Sequence, residues 1–191
     1  MVVCGSPSDA GDLRLWRNHG WAPGADECDR FRFPTWGMNV RPTEVQGAFG
    51  IAQLHKTEGF IEHRRRNFGR LADATDRRYP DWLQGVSVLP WATPVWHGFP
   101  LSVRPDAPLS KRDLCRFLEG RGIETRPLIA GNLARQPAVL THERIVAGPL
   151  PGADAVDEHA FYIGLSSHED EAGCAYVGQC FEDFFEGGER A

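Results

Sequence analysis

Four polar side chains in predicted loops are the residues of this sequence best placed to do chemistry: Asn39, Arg41, Arg126 and Asn132. Asn39 and Arg41 stand two residues apart, just before a helix that the sequence starts at Thr43. The free N–H groups and dipole of a helix N-terminus suit a phosphate or a carboxylate. The spacing therefore predicts half of an anion site. The alternative is that Asn39 caps a turn and Arg41 pairs with a neighbouring acid.

Arg126 and Asn132, the second pair of candidates, each have two possible roles. Arg126 lies between a predicted strand and Pro127, and it is either a bidentate clamp for a carboxylate or an ordinary charge at a strand end. Asn132 follows Gly131 and is either a ligand-binding residue or a residue of a left-handed turn.

Self-contained catalytic motifs are missing from the chain. There is no G-x-S-x-G elbow, and neither Lys56 nor Lys111 lies in a phosphate-binding G-x-x-x-x-G-K-[ST] loop. The seven His never occur as H-x-x-x-H or H-E-x-x-H, so the sequence predicts no zinc site. We accordingly assign no catalytic residue and no metal ligand.

The helix that follows Arg41 has a marked beginning. Thr43 and Gln46 form a T-x-x-Q pair, which predicts a capping box. Gly47 and Gly50 each cost about 1 kcal/mol relative to Ala inside a helix, so we expect another element to approach closely there. The expected buried stripe consists of Val45, Ala48, Phe49 and Ala52.

The rest of the first fifty residues is less regular. The opening MVVC predicts a short buried strand, followed by a helix that Ser8 caps, that runs to about His19 and that Gly20 closes. Residues 20–38 form a long aromatic-containing loop, which we expect to be functional or docked.

Beyond residue 55 the pattern predicts a small α+β domain. A helix runs from about residue 59 to 77, and others cover 110–119, with Ser110 as cap, and 169 to about 186. The predicted strands are VSVLPW, HGFPLSVRP, GIETRPL and FYIGL. Residues 96–99 are expected to contribute core and edge packing.

Composition narrows the classes of protein. With 41% apolar residues, 25% charged residues and a net charge of -5, the chain is predicted to be globular and not to bind nucleic acid. The basic cluster at 63–66 is expected to be a solvated or subunit-facing helix side. Five scattered cysteines favour reduced thiols in the cytoplasm, and no apolar run is long enough to predict a membrane span or a signal peptide.

Several separated motifs resemble one family of enzymes. WGMNVRPTEVQGAFGIAQLHK, followed by FIEHRRRNFGRL, resembles the G-Y-N-x-R-x-x-x-x-Q-A-A-x-G-x-x-Q-L-x-K signature of the DegT/DnrJ/EryC1/StrS family of pyridoxal-phosphate-dependent sugar aminotransferases. WHGFPLSV and GIETRPLIAGNLARQP resemble its branch of nucleotide-sugar 3-dehydratases, which act on 4-keto-6-deoxyhexoses in deoxysugar and lipopolysaccharide biosynthesis. Met38 and Gly47 depart from the Tyr and Ala of the signature.

The resemblance implies an α/β fold, the C-terminal part of a fold-type I transferase. It divides the chain into a remnant of the large cofactor domain with the long loop (1–42), interface helices (43–84) and a small C-terminal α+β domain (85–191). It also implies a homodimer in which Asn39 reaches the partner's cofactor phosphate and Arg41 faces the partner's substrate. Arg126 and Asn132 match T-R-x-x-x-A-G-N and are implied to lie near the sugar or the amino-donor carboxylate.

The same resemblance predicts that the chain is only the C-terminal portion of such an enzyme. The family's cofactor-reactive Lys or His, and the acid that pairs with the pyridine nitrogen, precede the segment that MVVC resembles. We therefore expect that this chain does not bind pyridoxal phosphate or pyridoxamine phosphate alone and is inactive alone. Expected partners are a second copy, an N-terminal half or an intact relative, and a nucleotide sugar. The alternative is a noncatalytic dimerisation or interaction module.

Overall fold

The computed structural model describes residues 2–22 and 31–187 of the chain. These residues fall into two compact units, Met1–His55 and Lys56–Ala191. Within the described residues, no helix combines the length and the apolar character needed to cross a membrane.

The first unit begins with helix α1 (Pro7–Arg17), and its cap is Ser6. The side-chain oxygen of Ser6 accepts a hydrogen bond from the backbone N–H of Asp9 at 3.1 Å. The predicted cap at Ser8 was wrong because Pro7 takes the first helical position, where its fixed φ and missing N–H are favourable. Gly20, with φ 78°, turns the chain after the helix, as predicted.

The predicted opening strand was also wrong. Residues 2–4 have no regular structure, and Val2 and Val3 are 72% and 85% exposed. A strand needs a neighbour for its backbone N–H and C=O groups. The only β-pairing among the described residues of this unit is one isolated bridge between Asn18 and Asn39. Of the predicted loop over 20–38, residues 23–30 lie outside the described residues.

Helix α2 (Glu44–Leu54) begins with the predicted capping box. The backbone N–H of Thr43 donates to Oε1 of Gln46 at 2.8 Å, and the N–H of Gln46 donates to Oγ1 of Thr43 at 3.4 Å. Both bonds satisfy donors that a helix start leaves open.

The predicted burial of α2 was wrong within this chain. Val45 and Phe49 are 65% and 68% exposed, and Ala48 and Ala52 are exposed as well. A Cβ added at Gly47 or Gly50 would meet no atom within 4 Å, so the expected close approach does not occur here. Hydrophobic periodicity predicts a helix face that packs against another element, and no described element of the first unit packs against α2 there.

The second unit is a four-stranded antiparallel sheet with helices. Its elements are α3 (Thr57–Ala74), β1 (Leu83–Gln84), β2 (Gly98–Val103), α4 (Lys111–Gly120), β3 (Thr125–Pro127), a 3-10 turn (Leu133–Arg135), α5 (Pro137–Leu140), α6 (Pro151–His159), β4 (Ala160–Gly164) and α7 (Glu171–Glu186). The strand order is β1-β2-β4-β3, with Phe99 opposite Ile163 and Arg126 opposite Tyr162. The sequence-based α+β prediction for this region is confirmed.

Two predicted details of this unit differ from the structure. VSVLPW is not a strand; instead Leu83 and Gln84 pair with β2. Pro90 lacks the N–H that a paired strand would use. Helix α6 was missed, because its sequence PGADAVDEH is short and carries a helix-weakening Gly152.

The core lies between the sheet and helices α3, α4 and α7. Its most enclosed side chains, all at most 2% exposed, include Phe99, Leu101, Leu114, Leu118, Phe161, Ile163 and Phe181. Trp96 and Phe68 pack against this core and stack on each other with ring centroids 6.1 Å apart. The predicted packing role of residues 96–99 is confirmed.

The basic cluster at 63–66 ties α3 to neighbouring segments. Arg64 donates to the carbonyl of Trp96 at 3.1 Å, and Arg66 pairs with Glu169 at 3.1 Å. The guanidinium groups of Arg64 and Arg66 therefore bind other residues of the second unit.

Candidate functional site

Backbone pairing with the end of α1 fixes the segment that carries Asn39. The N–H of Met38 donates to the carbonyl of Trp16 at 2.7 Å, and the N–H of Val40 donates to the carbonyl of Arg17 at 3.1 Å. Asn39 therefore lies in a short extended segment held at both neighbours.

The side chains of Asn39 and Arg41 are exposed beside the start of α2. Neither has a side-chain hydrogen bond or ion pair to any residue in the described ranges. The two alternatives from the sequence, a turn cap for Asn39 and an acid partner for Arg41, are thus not observed there. An amide donor and a guanidinium fixed on one backbone segment can bind a phosphate or carboxylate brought by another molecule.

Arg126 lies on β3 and pairs with an acid of its own segment. Its Nε and Nη2 lie 2.8 and 2.5 Å from the same Oε1 of Glu124. Both side chains are well exposed, and such a pair contributes little stability. A ligand carboxylate can therefore replace Glu124 at little cost. Arg126 lines a cleft of about 640 Å³ with Tyr162, Tyr176 and Asn67.

Asn132 is turned inward, with only 3% of its surface exposed. Its Nδ2 donates to Oδ1 of Asp154 at 2.7 Å, and its Oδ1 accepts from the N–H of Ala134 at 3.0 Å. Its φ of -94° excludes the left-handed turn considered from the sequence. The left-handed positions nearby are Ile129 and Gly131.

Asp154, on α6, is the residue that sequence reasoning missed. Arg135 donates two parallel hydrogen bonds to its carboxylate, from Nε to Oδ1 at 2.6 Å and from Nη2 to Oδ2 at 2.8 Å. These bonds, and next the one from Asn132, hold the pKa of Asp154 below its usual range. Pro151 at the first helical position, with Asp154 in the first turn, is the helix-start signal that could have indicated this element.

The candidates form two local groups. Asn39 and Arg41 share one segment of the first unit, whereas Arg126 and Asn132 lie on one connection of the second unit. The sequence of the first unit contains no lysine. In the second unit, Lys111 donates through Nζ to the carbonyls of Asp157 and Ala160.

The pyridoxal phosphate that the resemblance implies needs hydrogen-bond donors for its phosphate. The exposed donors of Asn39 and Arg41 fit one contact to the cofactor phosphate. The first unit, which carries both donors, does not supply the other parts of such a site, since its sequence contains no lysine and no acid of its described residues lies in hydrogen-bonding range of either donor. The residues present therefore fit a contribution to a shared cofactor site.

Comparisons with known proteins indicate the family of the chain. The model of the DegT/DnrJ/EryC1/StrS aminotransferase family matches residues 1–182. The lipopolysaccharide biosynthesis protein RfbH of Salmonella typhimurium is 31% identical over 156 residues, which are 82% of this chain and 36% of that protein. The dTDP-4-dehydro-2,6-dideoxy-D-glucose 3-dehydratase of Saccharopolyspora spinosa is 32% identical over an alignment of 190 positions, which covers 90% of this chain and 41% of that one.

A solved structure shows the same fold. The E. coli GDP-4-keto-6-deoxy-D-mannose-3-dehydratase with bound hydrated PLP superposes with a TM-score of 0.79 and 27% identity, covering 88% of this chain and 46% of that one. This chain thus spans less than half the length of these relatives. The match over residues 1–182 shows that the chain belongs to the DegT/DnrJ/EryC1/StrS aminotransferase family.

Proposed function

We propose that this chain is the C-terminal portion of a pyridoxal-phosphate-dependent nucleotide-sugar aminotransferase or 3-dehydratase that acts on a 4-keto-6-deoxyhexose in deoxysugar or lipopolysaccharide biosynthesis. The observation that carries the proposal is the exposed pair Asn39 and Arg41, fixed on a paired backbone segment ahead of the capped helix α2. The names of the relatives, and the 36–46% of their lengths that this chain spans, support it.

In that assembly the chain supplies donors, and the bound cofactor supplies an electron sink for carbanion chemistry. Asn39 donates its amide N–H to the cofactor phosphate of another chain, and Arg41 faces the substrate there. Arg126 exchanges Glu124 for a carboxylate or hydroxyl of the ligand. The remaining cofactor contacts and the reactive Lys or His come from residues outside this chain, so the chain alone is inactive.

The exposed apolar side chains of α2 support a protein partner. Val45, Phe49, Ile51 and Leu54 are each at least 63% exposed on one short helix. A helix that carries large apolar side chains on more than one side is normally buried against other protein. The partner is a second copy, an N-terminal half or an intact relative in the cytoplasm, and the division at 42 and 84 remains a prediction for the complete enzyme.

The test is complementation in trans. The chain is mixed with a separately produced N-terminal half of a 3-dehydratase from this family, and the absorbance of protein-bound pyridoxal phosphate is followed with turnover of a 4-keto-6-deoxy sugar nucleotide. We expect the mixture to bind the cofactor more tightly than the half alone. Asn39→Ala should weaken that gain, whereas Asp12→Ala, which changes an exposed polar side chain of α1, should not. Equal cofactor binding with and without the chain would contradict the proposal.

A second candidate is a noncatalytic interaction module, which the uncovered face of α2 also favours. Such a module would associate with an intact relative through α2 and leave cofactor binding and turnover unchanged. Sedimentation of the mixture, read together with the cofactor absorbance, separates the two candidates. Association without any gain in cofactor binding selects the module.

A further inference from the structure

The two units of the chain differ in how much apolar surface they enclose. The buried hydrophobic side chains of the described residues all lie between Leu71 and Phe185, in the second unit. In the described part of the first unit, the one buried residue is Gly20, which has no side chain. The second unit therefore has a hydrophobic core, whereas the described residues of the first unit do not form one.

Backbone hydrogen bonds and helix caps hold the first unit. Helices α1 and α2 have 11 residues each, fewer than the roughly 12–15 residues that an isolated helix needs in water. The amides of Met38 and Val40 donate to carbonyls at the end of α1. The net contribution of one such bond is no larger than the entropic cost of ordering one residue. These bonds alone therefore leave the first unit only marginally folded.

The second unit has the contacts that an autonomous domain needs. Helices α3, α4 and α7 pack on the sheet around the fully enclosed Phe181. Ion pairs join α7 to α3 and to the turn that follows α3, from Arg70 to Glu171 and from Arg78 to Glu182. We expect this unit to be stably folded whatever the state of the first unit.

An open apolar groove marks where the first unit lacks packing. A cavity of about 660 Å³ lies between α1 and the segment that carries Asn39. Its apolar lining includes Val2, Leu13, Trp16, Met38 and Val40. Trp16 is 50% exposed and Met38 is 68% exposed, so the described residues leave the groove unfilled. Aromatic residues and methionine are enriched where one protein packs on another.

The groove adjoins the candidate cofactor contact. Asn39 lies between Met38 and Val40, which both line the groove, so a protein in the groove also fixes the segment that carries Asn39. The relatives named above are matched over 36–46% of their lengths, so more than half of each lies outside the matched region. The N-terminal half of such an enzyme belongs to that remainder, and it is a protein that the proposed function also requires.

We propose that α1 and residues 38–40 become stably folded only when the N-terminal half of a family enzyme fills this groove, whereas the second unit folds by itself. The identity of the partner rests on the proposed function, but the difference in folding between the two units does not. The chain couples folding of its first unit to binding, so Asn39 is held in place only in the assembled protein.

Hydrogen exchange of the 191-residue chain alone tests the difference between the units. We expect amides of α3 and α7 to be protected by more than about a thousandfold, and those of α1, Met38 and Val40 by less than about tenfold. The measurement is made at a low and a high chain concentration, because binding of a second copy would raise the protection at the high concentration.

Addition of the N-terminal half tests the groove. The half comes from a 3-dehydratase of this family, is produced separately and is added in excess. We expect protection of α1, Met38 and Val40 to rise at least about tenfold, because binding stabilises the folded form by mass action. Protection of α7, in the second unit, should not change.

Trp16→Ala removes the largest side chain of the groove. We expect the N-terminal half to protect α1 at least about tenfold less well in this variant than in the wild type, as is usual for a tryptophan in an interface. Asp12→Ala is the matched control on the same helix, since Asp12 is exposed and does not line the groove. Its gain in protection should equal that of the wild type.

The outcomes separate this inference from the proposed function. Protection of α1 equal to that of α7 in the chain alone, or protection that rises with chain concentration, overturns the inference and leaves the proposed function standing. An unprotected α1 in a mixture whose cofactor absorbance rises does the same. Equal gains in Trp16→Ala and the wild type overturn the role of the groove. A mixture with neither protection nor cofactor absorbance overturns the inference and contradicts the proposed function as well.

Discussion

The guanidinium of Arg135 and the carboxylate of Asp154 meet through two parallel hydrogen bonds of 2.6 and 2.8 Å. This fork joins the 3-10 turn (Leu133–Arg135) to α6. Asn132 donates to the same carboxylate. Asp154, on the short helix α6, therefore holds both Asn132 and the 3-10 turn that follows it.

Asp154→Asn should make the stability of the second unit less sensitive to acid. The pKa of Asp154 is lowered in the fold, chiefly by Arg135, so the unfolded chain binds this proton more readily. The stabilisation is fully present above the unfolded pKa of about 3.9 and is lost as the pH falls through the lower folded pKa. We expect Asp154→Asn to lower the urea midpoint at pH 7 and to flatten its decline below about pH 5.

Asp106→Asn is the control for this experiment. Asp106 lies exposed in the turn after β2, so its substitution should leave both the midpoint and its acid decline unchanged. An acid decline in Asp154→Asn as steep as that of the wild type would contradict the role of the fork.

Local sequence signals predicted the elements that local interactions stabilise. The capping box of Thr43 and Gln46 and the cap of α4 at Ser110 were both correct, because each depends on residues three positions apart. The alternating pattern of β2 likewise predicted a strand whose Phe99 and Leu101 are buried.

The errors at the opening strand and at the buried face of α2 arose where the deciding partner is remote. The MVVC prediction failed because a strand needs a neighbour that the described part of its unit does not contain. The prediction that Phe49 is buried was wrong for the same reason, because no described element of the first unit packs against it. At the candidate site, Asn39 and Arg41 were found as exposed donors, but the inward orientation of Asn132 depends on Asp154, 22 residues away on a helix that was not predicted. No local signal predicts such a contact.

Asn67→Ala should destabilise the second unit by about 2–3 kcal/mol. Asn67 is fully buried in α3, and its Nδ2 donates to the carbonyls of Ser166 at 3.3 Å and His168 at 2.7 Å. The substitution leaves both carbonyls without this donor, and a buried unsatisfied acceptor is costly. Urea unfolding at pH 7 measures the change. Asn39→Ala makes the same substitution at an exposed position and should leave the midpoint of this unit unaltered; a similar loss in both variants would rule out the buried bonds as the cause.

Thr43→Ala should loosen the beginning of α2 by about 0.5–2 kcal/mol, the usual effect of losing an N-cap side chain. Thr43 Oγ1 accepts from the N–H of Gln46, so that amide becomes open to solvent in the variant. Hydrogen exchange at Gln46 should accelerate, while exchange in α7 should not change. Thr43→Ser keeps the hydroxyl and should restore protection at Gln46. Faster exchange in the Ser variant equal to that in the Ala variant would show that the methyl group, not the cap, was responsible.

Phe49→Asp should weaken association of the chain with its protein partner and leave its own folding intact. Phe49 is 68% exposed on the apolar face of α2, so the charge remains hydrated in the free chain. In a complex it would be buried without a partner, which costs several kcal/mol. Sedimentation velocity of the chain, alone and with an intact relative, should show a weaker complex for Phe49→Asp. Ile145→Asp changes an apolar residue of the second unit that is 97% exposed and should associate like the wild type. Equal weakening by both substitutions would attribute the effect to net charge and would remove α2 as the contact surface.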